Sequence, residues 1–151
     1  MSKIEIKHIT QYDPELVEPI GRLLDQLTSH PVNFSNRDLR AIIESDSSLL
    51  MVMFADAKPV GMITLGHYLA PTGRKIWIED VVVDSSMRGR GLGKKLIDYA
   101  IEQARTLAPA TLLLTSRPSR IEANALYRTS GFKQRETNVY KFDISKYPFA
   151  N

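Results

Sequence analysis

Residues 76–94 constrain this chain more than any other segment. An apolar stretch ends in three consecutive valines, Val81-Val82-Val83, and passes through Asp84-Ser85-Ser86-Met87-Arg88-Gly89-Arg90-Gly91-Leu92-Gly93-Lys94. A strand without polar alternation at its end is covered on both faces, so the chain must build layers around a sheet. The helix expected over 91–107 turns Leu92, Leu96, Ile97, Ala100, Ile101 and Ala104 to one side, with Lys94, Asp98, Glu102 and Arg105 on the other. Unpaired N–H groups at a helix start, together with the positive end of its dipole, attract an anion. Glycines at alternate positions let the backbone approach a phosphate closely, and Arg88, Arg90 and Lys94 add charge.

The rest of the pattern fits a mixed α/β chain. Strands are predicted over residues 4–10, 49–54, 60–68, 76–83, 111–115, 132–135 and 138–144. A helix is predicted over 14–27, with Asp13 as N-cap and Pro14 at its first position. A second starts after Ser35 or Asn36 and ends near Glu44. Ser119-Arg120-Ile121-Glu122 has the spacing of a capping box, opening a helix that stops at Gly131. Antiparallel hairpins come early and one strand–helix–strand crossover comes late. With no repeat and no linker in 151 residues, the expectation is a single domain over 1–151.

Composition removes several function classes. The absence of cysteine excludes disulfides, thiolate metal sites and a cysteine nucleophile, and it suits a reducing compartment. His8, His30 and His67 are scattered, so no metal centre is expected. No apolar run reaches the ~20 residues that cross a bilayer, and the N-terminal residues lack the apolar core of a secretory signal. A cytoplasmic location is therefore expected, without a membrane partner. The net charge of +3 is small and its basic residues are interleaved with acids. A local anion site fits this balance better than a nucleic-acid surface. A small RNA-binding role for Arg88-Gly89-Arg90-Gly91 has little support, because the repeat occurs once.

Two familiar phosphate loops do not fit. A nucleoside-triphosphate loop has four residues between its glycines, then Lys and a hydroxyl residue. Gly89 and Gly93 enclose three, and Lys95 stands where the hydroxyl belongs. A dinucleotide loop has G-x-G-x-x-G and an acid at the end of the next strand; here that strand ends in Thr115-Ser116.

Arg88-x-x-Gly91-x-Gly93, directly after Val81-Val82-Val83-Asp84, resembles the acetyl-CoA pyrophosphate loop of the GNAT N-acetyltransferase superfamily. Ala123-Asn124-Ala125-Leu126-Tyr127 followed by Gly131-Phe132 resembles that family's second signature, and the order of elements matches along the whole chain. The resemblance implies a mixed sheet of about seven strands flanked by about four helices, splayed between the strands ending near Val83 and Thr115. It implies that Val81, Val82 and Val83 meet the pantetheine arm as an added strand edge would. Arg88, Gly89, Arg90, Gly91, Leu92, Gly93 and Lys94 would hold the pyrophosphate. Asn124 would reach the cofactor, and Tyr127 would protonate the departing thiolate. Many members carry Asn seven residues before that tyrosine, where this chain has Arg120.

The implied activity is transfer of the acetyl group of acetyl-CoA to a primary amine by direct attack, without metal or covalent enzyme intermediate. Holding amine and thioester in attack geometry, with a backbone N–H near Val81 on the carbonyl, would supply most of the catalysis. Glu79 is the candidate base and a candidate substrate contact; in a regular strand it shares one face with Val81 and Val83 while Asp80 faces the opposite layer. His30, between the first two helices, is a candidate acceptor contact. Trp77, Tyr140 and Tyr147 read as packing or rim residues. Ile78-Glu79-Asp80-Val81 is similar, over a short run, to glucosamine-6-phosphate acetyltransferases. An amino sugar phosphate, aminoglycoside, polyamine, amino acid or protein amine all fit as acceptor, and a homodimer is compatible with the chain. The alternative is a CoA-binding regulatory module of the same fold, against which the retention of Tyr127 speaks.

Overall fold

A computed structural model describes residues 2–145. Its sheet has five strands: β1 (Ile4–His8), β2 (Ser48–Ala55), β3 (Lys58–Ala70), β4 (Gly73–Val83) and β5 (Ala110–Leu113), in that spatial order. The first four pair antiparallel and β5 joins β4 in parallel. Helices α1 (Val17–Leu27) and α2 (Asn36–Glu44) precede β2, α3 (Leu92–Arg105) bridges β4 to β5, and α4 (Ile121–Thr129) follows β5. The mixed α/β class matches the expectation from sequence.

Local chemistry accounts for the helix starts. The Asp13 side chain accepts from the Glu15 N–H and opens a short 3₁₀ turn, Pro14–Leu16, that leads into α1. Ser35 and Asp38 form a complete capping box ahead of α2. The capping box expected at Ser119 does not form; α4 begins one residue later, at Ile121, and Arg120 supplies no side-chain cap. Asn124 takes over, its Nδ2 donating to the carbonyls of Arg117 and Arg120 at 2.8 Å each.

The sheet separates two apolar layers. On one side Met51, Met53, Ile63, Leu65, Ile76 and Ile78 meet Leu92, Leu96, Ile97, Ala100 and Ala104 of α3 and Tyr127 of α4. On the other, Leu50, Val52, Met62 and Val82 meet Leu16, Ile20, Leu23, Leu24 and Leu39. The apolar stripe read from α3 is therefore its buried face.

Two expectations are corrected. Residues 132–135 and 138–144 are not strands, which leaves five strands among the described residues where about seven were expected. Their period-2 alternation is present, but no ladder takes up their backbone groups. Val139, Tyr140, Phe142 and Ile144 are exposed, with no layer over them. Alternation makes a strand only when a partner edge and a covering layer are both available. The second correction lies inside β4. Thr64 pairs with Glu79 and Met62 with Val82, so Ile63 alone opposes Asp80 and Val81. Asp80 takes a left-handed conformation with φ of 52°. This one-residue bulge reverses the facing of everything after it. Glu79 consequently shares a face with Val82, on the α1 and α2 side, while Val81 and Val83 pack toward α3. The expected common face of Glu79, Val81 and Val83 does not exist, and Asp80 is exposed rather than turned into the opposite layer.

Candidate active site

The ladder between β4 and β5 covers only Arg74–Trp77 against Ala110–Leu113. Beyond Trp77 the two strands part, and the edge of β4 that faces away from β3 has no partner strand among the described residues. An open groove of about 1260 Å³ fills this gap. Val81, Val82 and Val83 form one wall; Thr115, Ser116, Arg117, Ser119 and Arg120 form the other; Leu126 and Tyr127 of α4 lie between them. The splay expected between Val83 and Thr115 is thus present. A partnerless strand edge accepts an extended, amide-bearing chain as an added strand.

The glycine loop closes one end of this groove. Gly89 and Gly91 have φ of 78° and 73°, the left-handed region where a Cβ is strained. Gly91 is the N-cap of α3, and the first helical bond runs from the Lys95 N–H to its carbonyl at 3.3 Å. The N–H groups of Leu92, Gly93 and Lys94 therefore have no partner within the helix and are free for an anion. Arg88, Gly89, Gly91, Leu92, Gly93 and Lys94 all line the groove; Arg90 does not. Lys94 Nζ is 2.8 Å from Asp98, an exposed i,i+4 pair.

The loop is tied to α1 across the sheet. Ser85 N–H donates to Gln26 Oε1 at 2.8 Å, and Asp84 accepts from the Ser86 N–H and hydroxyl at 2.9 Å each. Those bonds hold the Asp84 carboxyl below its ordinary pKa. Gln26, Leu27 and Ser29 complete the groove at that end, whereas His30 is exposed and outside the lining.

Tyr127 is 8% exposed, its ring edge-on to Phe132 at 6.2 Å between centroids. Its hydroxyl has no hydrogen-bond partner among the described residues, although the residue lines the groove. Burial pushes its pKa up, opposed by the charge of Arg120. The phenol is protonated at neutral pH and can donate. Glu79 has its pKa raised by burial and by the neighbouring Asp80, and forms no ion pair among the described residues. It is not part of the groove lining and faces the α1 and α2 side. Asn124 is likewise outside the lining, its amide nitrogen occupied by the loop carbonyls.

A smaller hollow of about 320 Å³ over β1 is lined by Lys3, Glu5 and Lys7. Glu5 already pairs with Lys3 at 2.7 Å and Lys7 at 3.7 Å, and Asp56 accepts from the Lys3 backbone N–H at 2.8 Å.

Three site features escape sequence reasoning. Gln26 meets the loop across 59 residues of chain, Arg117 and Arg120 line the groove, and the bulge at Asp80 redirects β4. Only Arg120 left a signal, as a departure from the family pattern.

Residues 20–132 match the model of the GNAT acetyltransferase family. The chain belongs to that family, and it is an acetyl-CoA-dependent N-acetyltransferase. Among its relatives, Uncharacterized N-acetyltransferase YhdJ of Bacillus subtilis (strain 168) is 28% identical over 147 residues, covering 97% of this chain and 96% of that protein. Glucosamine 6-phosphate N-acetyltransferase 1 of Oryza sativa subsp. japonica is 28% identical over 127 residues, 78% of this chain and 74% of that protein. Among solved structures, aminoglycoside N-acetyltransferase AAC(6')-Iy in complex with CoA superposes with a TM-score of 0.78 at 19% identity, covering 95% of this chain and 96% of that one. No helix among the described residues is long and apolar enough to cross a membrane.

Proposed function

We propose that the groove between β4 and the loop after β5 binds acetyl-CoA, and that the chain transfers the acetyl group directly to a primary amine in a ternary complex. One observation carries this: a partnerless β4 edge, a glycine loop at a helix start and a protonated, unpaired phenol all face one groove. The pantetheine arm lies along Val81, Val82 and Val83 as an added strand. The pyrophosphate sits on the N–H groups of Leu92, Gly93 and Lys94, with Arg88 beside it. Arg90 and Asn124 have no direct contact in this arrangement. The amine nitrogen attacks the thioester carbon, a C–N bond forms and the C–S bond breaks. The sulfur leaves with the electron pair, and the Tyr127 hydroxyl gives it a proton.

Glu79 lies outside the groove lining, on the α1 and α2 side of β4 opposite Val81 and Val83, and serves the acceptor rather than the cofactor. Its carboxylate, without an ion-pair partner among the described residues, suits it to draw a cationic acceptor toward that side and take its proton; His30, exposed between α1 and α2, is the other candidate acceptor contact. The acceptor class is a small amine such as an amino sugar phosphate or an aminoglycoside. The name of a sequence relative and the run Ile78-Glu79-Asp80-Val81 support the first, and the name of a structural neighbour supports the second. A chain without cysteine suits work in the cytoplasm as a single domain.

Thiol release from acetyl-CoA across a panel of amines, with hydrolysis measured separately, tests the proposal. Amine-dependent release that tracks formation of the acetylated amine supports it. CoA binding without turnover on any amine class would instead favour a regulatory module.

A further inference from the structure

The groove wall opposite β4 carries a cation that the proposed chemistry has not used. Arg120 ends the loop before α4, seven residues ahead of Tyr127, and both line the groove. Its backbone is fixed twice by Asn124: the carbonyl accepts from the Asn124 N–H at 3.0 Å and from its Nδ2 at 2.8 Å. The same Nδ2 holds the Arg117 carbonyl, so the loop is clamped at both ends of a short turn. The Arg120 guanidinium makes no ion pair and no hydrogen bond among the described residues, although Glu122 stands two residues away. Lys94, across the groove, is paired with Asp98. The positive charge of Arg120 acts on the Tyr127 hydroxyl in the sense that favours its anionic form, against the burial that favours the neutral phenol.

We propose that Arg120 is a catalytic residue of this chain, bringing a permanent positive charge to the sulfur of the departing CoA thiolate while Tyr127 delivers the proton. The inference rests on acetyl-CoA occupying the groove. As the C–S bond breaks, sulfur takes the bonding electron pair and carries negative charge until the phenolic proton arrives. A guanidinium is always protonated, so it supplies no proton itself; it lowers the energy of the charge as it develops. Asn124 is a positioning residue, holding the turn that presents Arg120. A neutral amide at position 120 could donate a hydrogen bond but no charge.

The ionisation of bound CoA tests this directly. Thiolate absorbance of CoA is titrated against pH in complex with the wild type, Arg120→Met and Arg120→Lys, and binding of CoA and acetyl-CoA is measured alongside. The thiol pKa should rise by about one unit in Arg120→Met and return toward wild type in Arg120→Lys. Acetyl-CoA affinity should change less than threefold, while kcat falls roughly tenfold to a hundredfold in Arg120→Met. If both ligands instead weaken equally at every pH with the thiol pKa unmoved, Arg120 contacts a phosphate and the proposal is overturned. If the wild type binds no CoA at all, the acetyl-CoA groove itself is wrong and the proposal falls with it.

Discussion

Replacing Asp80 separates the strain of the β4 bulge from the geometry it creates. Asp80 sits at φ of 52°, a region that aspartate tolerates, glycine adopts freely and β-branched residues avoid. In Asp80→Val the chain has two options. It can keep the bulge and bear a left-handed valine, at a cost of roughly 1–2 kcal/mol. It can also straighten β4, which turns Val82, now 6% exposed, away from the α1 layer. Losing that burial costs about 1.5–3 kcal/mol. If the residues after the bulge keep their facing instead, straightening drives the Glu79 carboxylate onto the α3 side of the sheet, where desolvating a charge costs several kcal/mol. The bulge should therefore survive, and the variant should lose roughly 1–2 kcal/mol while still binding acetyl-CoA. Asp80→Gly should stay within about 1 kcal/mol of wild type, since glycine fits the conformation and loses only unfolded-state entropy. Urea unfolding of the three proteins, paired with acetyl-CoA titration, reads both quantities. Equal stability of the Val and Gly variants would refute the strain at Asp80. A Val variant that unfolds with little loss yet no longer binds the cofactor would show that the bulge had straightened.

Tyr127→Phe keeps the ring against Phe132 and removes a hydroxyl that has no hydrogen-bond partner among the described residues. Stability should change by less than about 1 kcal/mol, and turnover should fall ~10²-fold with acetyl-CoA affinity intact; full activity would make Tyr127 a packing residue. Gly91→Glu should abolish cofactor binding, because its φ of 73° strains any side chain and a carboxylate there opposes the pyrophosphate. Binding that persists in a calorimetric titration would move the phosphate site elsewhere. Glu79 has a raised pKa in the folded state, so the fold binds its proton more tightly than the unfolded chain does. Its ionisation therefore removes stability as pH rises from below the unfolded pKa through the raised folded one. Glu79→Gln should accordingly be more stable than wild type at pH 7, with the gap closing as both are acidified below the unfolded pKa; a gap that widens in acid would reverse the sign.

How much of this was legible in the sequence follows from the range of the interactions. Helix α3 and its loop are readable because their signals are local: a stripe at helical period, glycines at alternate positions ahead of it and a valine run before them. The splay beside Val81–Val83 followed only from family resemblance, since strand separation has no local signature. The bulge was not legible, because Asp80 differs from an ordinary strand residue only in φ, and one extra residue inverts every facing after it. That is why Glu79 was placed on the wrong side. The family resemblance implies that Asn124 reaches the cofactor, yet its amide goes backward to the Arg117 and Arg120 carbonyls. Ser119 had capping-box spacing, but the helix starts too late for it to serve. Residues 138–144 carry strand alternation with nothing to pair against, and tertiary context decided that case.

Titration of the protein with acetyl-CoA by calorimetry tests the central claim most directly. The groove should bind acetyl-CoA with micromolar affinity, about −8 kcal/mol, and neither NAD nor ATP should compete for it. Heat on adding NAD or ATP, with none on adding acetyl-CoA, would contradict the assignment of the groove.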